Sequence, residues 1–110
     1  MFYKRSTDGY INPLEGIEQK TLVYGERSLL TEFRLKGGCV IPRHAHPYEQ
    51  TGYMIKGKMR LTIDTESFDV EAGDSWSVPL NVEHGVEVKE DALVVEVFSP
   101  LREDYLPKAK

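Results

Sequence analysis

Between residues 58 and 64 the chain alternates polar with apolar side chains, setting Met59, Leu61 and Ile63 against Lys58, Arg60 and Thr62. A period of two marks a strand with one face in the core and the other in water. No stretch sustains the helical period of 3.6, and Gly, Pro, Asn and Asp interrupt the chain at short intervals. The sequence therefore predicts an all-β fold. Strands are expected at 21–24 and 29–35, over the segment after Gly38, at 51–55 and 58–64 on either side of Gly57, and at 68–70, 76–78, 85–88 and 93–98.

With 110 residues, 40% of them apolar, there is material for one core and one domain. We expect an arm over 1–19, a β body over 20–100 and a tail over 101–110, loose after Pro107. The net charge of −4 and the lack of a basic stripe speak against nucleic acid, whose phosphates need a positive face. No apolar run is long enough for a membrane span, and the positive start at Lys4 and Arg5 is followed by Ser6-Thr7-Asp8-Gly9 where a signal core would be apolar. A single cysteine, Cys39, cannot form an internal disulfide; cytoplasm is the expected compartment and core filler the expected role of the thiol.

The chemistry lies in the histidines. The chain has three, and two of them form His44-Ala45-His46. Residues two apart on a strand face the same way, so both imidazoles would serve one metal ion. Two exposed histidines on a strand would also explain that triplet by itself. The flanks add more. Gly38, His44, His46, position 50 and Gly57 resemble the first cupin motif, Gly-x5-His-x-His-x3-Glu-x6-Gly, with Gln50 in place of Glu. Gly73, Pro79, Asn81, His84 and Val88 are similar to the second motif, Gly-x5-Pro-x-Gly-x2-His-x3-Asn, with Asn81 for Gly and Val88 for Asn. Asn tolerates the left-handed turn that Gly usually occupies.

The resemblance to cupins implies a double-stranded β-helix, the jelly-roll barrel, over most of the chain. It implies one divalent metal ion, with zinc, nickel, manganese and iron all candidates, on His44, His46, Gln50 and His84. It also implies pairing into a homodimer through the N-terminal region. Phe2, Tyr3, Tyr10 and Ile11 would then lie on a partner or cover the chain's own barrel. Three imidazoles and an amide are neutral, so the ion would keep its full +2 charge and act as a stronger Lewis acid. The imidazoles must also be unprotonated, so metal affinity should weaken below about pH 6.5. An amide cannot act as a base, so proton transfer must come from another residue.

Glu49 should face away from the metal by alternation. Glu96 stands in the apolar segment Val94-Val95-Glu96-Val97-Phe98, where either face is costly for an unpaired charge. It is either a pocket carboxylate available for acid–base work or an exposed residue at a twisted edge. Arg102 is either an anchor for a substrate carboxylate or a solvated rim charge. Trp76 and Tyr53 are either core residues or pocket walls, with the core the first expectation for each.

A narrower resemblance follows. His-x-His-Pro-x-Glu-Gln-x-Gly-Tyr with Val-Phe-Ser-Pro-x-Arg looks like the KdgF-type pectin-degradation cupins. That resemblance implies conversion of 4,5-unsaturated uronic acids into the linear keto-sugar. Glu96 and Arg102 would be catalytic; Phe98, Arg102 and Met54 would contact a small carboxylated sugar. Glu96 stands where the resembled pattern has Asp. An iron-dependent oxygenase and a non-catalytic sugar- or metal-binding module are the alternatives.

Overall fold

Two long strands organise the molecule. In the computed structural model, which describes residues 1–107, they are β5 (Glu49–Ile63) and β8 (His84–Ser99). The others are β1 (Ile11–Leu14), β2 (Ile17–Tyr24), β3 (Leu29–Leu35), β4 (Val40–His44), β6 (Glu66–Glu71) and β7 (Ser75–Val78), and one 3-10 turn spans Glu103–Tyr105. All pairings are antiparallel.

β5 and β8 pair along nearly their whole length and pass from one half of a folded sheet to the other. In the first half, β1, β2 and β3 lead to the later part of β8, which pairs with the early part of β5, and that pairs with β7. In the second half, β4 pairs with the early part of β8, and the later part of β5 pairs with β6. The two expected strands 51–55 and 58–64 are thus one strand, as are 85–88 and 93–98.

Gly57 permits the crossing. Its φ is +101°, and a Cβ there would lie 2.4 Å from the Asp91 carbonyl oxygen and 2.5 Å from the Ala92 Cα. Only glycine accepts both the backbone angle and the contact. The β5–β8 register shifts on either side of it, between Met54 and Met59.

The inner faces of both halves close over one core. Leu29, Phe33, Leu35, Met54, Met59, Leu61, Val88, Val94 and Phe98 are all buried in it. Each such side chain contributes about 1.5–3 kcal/mol when removed from water. The arm is partly ordered on its own barrel: β1 forms a hairpin with β2, Tyr3 packs edge-on against Tyr24, and Tyr10 donates to Glu32 beneath the Arg34 guanidinium. Phe2 and Ile11 are exposed. Residues 108–110 of the expected tail lie outside the described residues. No helix among the described residues is long and apolar enough to cross a membrane.

Candidate metal centre

His44 ends β4 and His84 begins β8, and the two are register partners across the strands. Their rings are 4.3 Å apart, centroid to centroid. His46 joins them differently from the expectation, because β4 has already ended. The turn after β4 carries it inward, held by the Asn81 N–H donating to its carbonyl oxygen at 2.8 Å. Asn81 has a φ of +63°, the left-handed turn expected at that position. The His46 ring lies 4.8 Å from that of His84 and 5.5 Å from that of His44.

Each ring is oriented by a backbone carbonyl close by in sequence. The Nδ1 atoms of His44, His46 and His84 lie 2.8, 3.1 and 2.9 Å from the oxygens of Pro42, Tyr48 and Val82. A carbonyl only accepts, so each Nδ1 carries the proton and each Nε2 presents a lone pair. The Nε2 atoms of His46 and His84 are buried without any hydrogen-bond partner. Ligand nitrogens of the three residues lie within 4.8 Å of one another. Buried unpartnered acceptors converging on one point are what a cation site requires. The residues fit a divalent ion. Burial, and then the positive charge of nearby Arg102, hold His46 below the ordinary imidazole value; burial, followed by the neighbouring imidazoles of His44 and His46, pushes His84 down to about 4.

Gln50, the second residue of β5, completes this side of the pocket. It is buried, and its Nε2 donates to Glu96 Oε2. With the nitrogen committed to the carboxylate, the Oε1 of the amide is the Gln50 atom left over as a ligand in the cavity that the three histidines also line. A glutamate at position 50 would instead set two carboxylates against each other. The departure from the usual motif residue and the presence of Glu96 therefore explain one another.

Glu96 faces the cavity, so the pocket reading of its place holds over the exposed edge. Trp76 Nε1 donates to its Oε2 at 3.1 Å, the same oxygen that Gln50 engages. Burial pushes its carboxyl up to about 7, against the pull of those two donors and of Arg102. Arg102 also lines the cavity. Its guanidinium lies 3.8, 4.9 and 5.2 Å from the ring centres of Tyr105, Phe98 and Tyr48. Its Nε donates to the Asp104 carboxylate at 3.1 Å, which leaves the terminal nitrogens for a ligand.

The cavity holds about 70 Å³, several times the 10–15 Å³ that one water needs. The three histidines, Gln50, Glu96 and Arg102 supply its polar lining, with Phe33, Leu61 and Val94 among its apolar lining. Phe98 belongs to this lining and stands 5.8 Å from the His46 ring. Met54 does not. It is completely buried in the core and is absent from the cavity wall, which corrects its expected place at the substrate. Glu49 is exposed on the outer face, as alternation predicts. Tyr53 is half exposed on that same face instead of in the core, while Trp76 is a cavity wall. Cys39 packs against the core away from the cavity. Tyr105 bears no mark in the sequence beyond its position after Arg102. It lines the cavity, stacks edge-on against Phe33 and Phe98, and its backbone oxygen accepts a hydrogen bond from Thr21.

Comparison with known proteins agrees with this architecture. The cupin domain family matches residues 31–99. The chain is 26% identical over 94 residues to the pectin degradation protein KdgF of Dickeya dadantii, covering 84% of this chain and 86% of that one. The solved structure of KdgF from Halomonas sp. superposes with a TM-score of 0.89 at 26% identity, covering 96% of this chain and all of the other. An RmlC-like cupin from Shewanella frigidimarina has the same fold, with a TM-score of 0.89 at 23% identity over 96% of each chain. With its paired motifs, its folded double sheet and its cluster of three histidines, similar in sequence and fold to the KdgF proteins of Dickeya dadantii and Halomonas sp., the chain belongs to the cupin domain family.

Proposed function

We propose that this cupin is a divalent-metal-dependent enzyme acting on a small carboxylated sugar, opening 4,5-unsaturated uronates to the linear keto form. One juxtaposition carries the reading: unpartnered imidazole nitrogens, a carboxyl that titrates near 7 and an aromatic-framed guanidinium share a single cavity. His44, His46, His84 and the Gln50 oxygen would hold the ion. When bound, it supplies Lewis-acid polarisation of a substrate oxygen.

The remaining work falls to the chain. Arg102 binds the uronate carboxylate through its terminal N–H groups, and Phe98 and Tyr105 wall the site from water. The reaction is an isomerisation. A hydroxyl proton leaves as the ring C–O bond breaks, and the enolate so formed becomes a ketone by taking a proton on carbon, so that one proton is removed and one returned. Nothing is oxidised and no second reactant enters. A single carboxyl populated in both forms at neutral pH suits such a transfer. Oε2 of Glu96 is engaged by Trp76 and Gln50, so Oε1 is the atom that takes and returns the proton.

The test is loss of the ultraviolet absorbance of unsaturated galacturonate or a stereoisomer on adding metallated protein, abolished by a chelator. Fully metallated protein that binds these sugars and leaves them unchanged would replace this reading with the non-catalytic module. Oxygen uptake on adding Fe(II) and a candidate substrate would instead indicate the oxygenase.

We also infer that the protein works as a cytoplasmic homodimer. Tyr53, Ile55 and Val97 are 48, 45 and 38% exposed on adjoining strands, an apolar row suited to a second copy. Light scattering that gives the monomer mass at micromolar concentration would refute the dimer.

A further inference from the structure

Four register-matched residues cross the inner face of the first half-sheet: Trp76 on β7, Gly52 on β5, Glu96 on β8 and Thr31 on β3. Trp76 and Glu96 are separated by β5, and two strand spacings amount to about 9.5 Å. The indole nevertheless reaches the carboxylate, because position 52 has no side chain. A Cβ on Gly52 would lie 2.3–2.4 Å from three atoms of the indole ring, Nε1 among them. Such an isolated glycine inside a strand signals close approach by another group. Thr31 fixes the row from the other side, donating to the Glu96 backbone oxygen at 3.1 Å.

We propose that Trp76 is a positioning residue of the metal site: lying in the gap left by Gly52, its N–H fixes the Glu96 carboxylate, which in turn fixes the Gln50 amide and leaves its oxygen as the ligand atom. The inference rests on the metal reading above. Trp76 would not touch the metal and would act on it only through Glu96. Without its N–H, the carboxylate gains rotational freedom, the Gln50 amide loses its fixed partner, and the ligand oxygen is no longer presented.

Zinc affinity, measured by competition with a chromophoric chelator, reads this without any turnover. Loss of such outer-layer partners typically weakens metal binding by about 10–100-fold, and that loss is expected for Trp76→Phe. Glu96→Leu should show a similar loss, and the double variant should fall no further than Glu96→Leu alone, because both act along one chain of contacts. Gly52→Ala displaces the indole while leaving Trp76 in the sequence, and should weaken zinc in the same way. Trp76 is the only tryptophan, so the emission of the metal-free protein should shift in Glu96→Leu and stay put in a Glu90→Gln surface control. Wild-type affinity in a folded Trp76→Phe variant, or losses that multiply in the double variant, would overturn the positioning role alone. Wild-type protein that takes up no divalent ion would overturn the metal reading beneath it.

Discussion

The guanidinium of Arg102 lies 3.8 Å from the ring centre of Tyr105, three residues further along the chain. That contact turns the first residues after β8 into a wall of the site. Arg102 is bracketed by Tyr48 and Phe98 as well, and its Nε is occupied by Asp104. Its rotamer is therefore set before any ligand arrives, and little ordering entropy remains to be lost on binding.

Arg102→Ala should raise KM with little change in kcat, as expected for an anchor used equally in ground and transition states. Hydrogen bonds to charged groups contribute about 1.5–3 kcal/mol, so KM should rise by roughly 10–150-fold. Arg102→Lys should recover only part of this, since an ammonium lacks the planar fork that stacks on the rings. Steady-state kinetics on an unsaturated uronate separate these outcomes, and a fall confined to kcat would contradict the anchor.

Metal retention should persist to lower pH than free imidazole would allow. A proton competes with the ion for each Nε2, and burial disfavours that proton at His46 and, down to about 4, at His84. Metal content after dialysis should begin to fall only below the ordinary imidazole range and be largely lost as pH approaches about 4. A midpoint at the ordinary histidine value of about 6.5 would contradict this ordering. His84→Ala should remove most of the metal at every pH.

Glu96 contributes a pH dependence of the opposite sign to that of His84. Its carboxyl titrates near 4.5 in the unfolded chain and near 7 in the folded protein. Between those values the folded state holds a proton that the unfolded state has released, so this contribution to stability falls as pH rises from 4.5 through 7. His84 is depressed from 6.5 to about 4, so its contribution rises with pH across that window, and the two partly cancel. Glu96→Gln removes only the first. In metal-free protein, the melting temperature of Glu96→Gln relative to wild type should be higher at pH 8 than at pH 4.5. The same substitution should lower turnover by about 10²–10⁴-fold. A melting difference independent of pH would argue that Glu96 is ionised throughout.

Gly57→Ala should destabilise the fold without touching the pocket. A left-handed backbone with a side chain costs about 1–3 kcal/mol, and the added Cβ would also collide with the backbone of Asp91 and Ala92. Urea denaturation followed by circular dichroism measures the loss; an unchanged midpoint would mean that β5 crosses between the half-sheets by some other route.

Much of this was legible because strand parity is a local property. Alternation placed Met59 and Leu61 inside and Glu49 outside, and the spacing of the two motifs singled out all three histidines. Parity gives the face and says nothing of depth. Met54 shares its face with Gln50 and Gly52, as alternation requires, yet the cavity ends before it is reached. Residue type favours the core for Tyr53, whereas the alternation that puts Gln50 inside puts Tyr53 outside. His46 reaches the site from a turn, which no period describes. The pairing of His44 with His84 and the reach of Trp76 to Glu96 are cross-strand relations between residues far apart in sequence. Gly52, in the middle of a strand, was the one local sign of the second.

β8 carries His84 at its start and Glu96 near its end, with the passage between half-sheets in the middle. The backbone span from His84 to Glu96 therefore runs through the crossing near Asp91 and Ala92, opposite Gly57, at a distance from the side chains that line the pocket. Related barrels could diverge in the size of substrate they accept by changing this remote crossing, with every ligand and every wall residue conserved. Selection for a different ligand would then leave its mark outside the cavity.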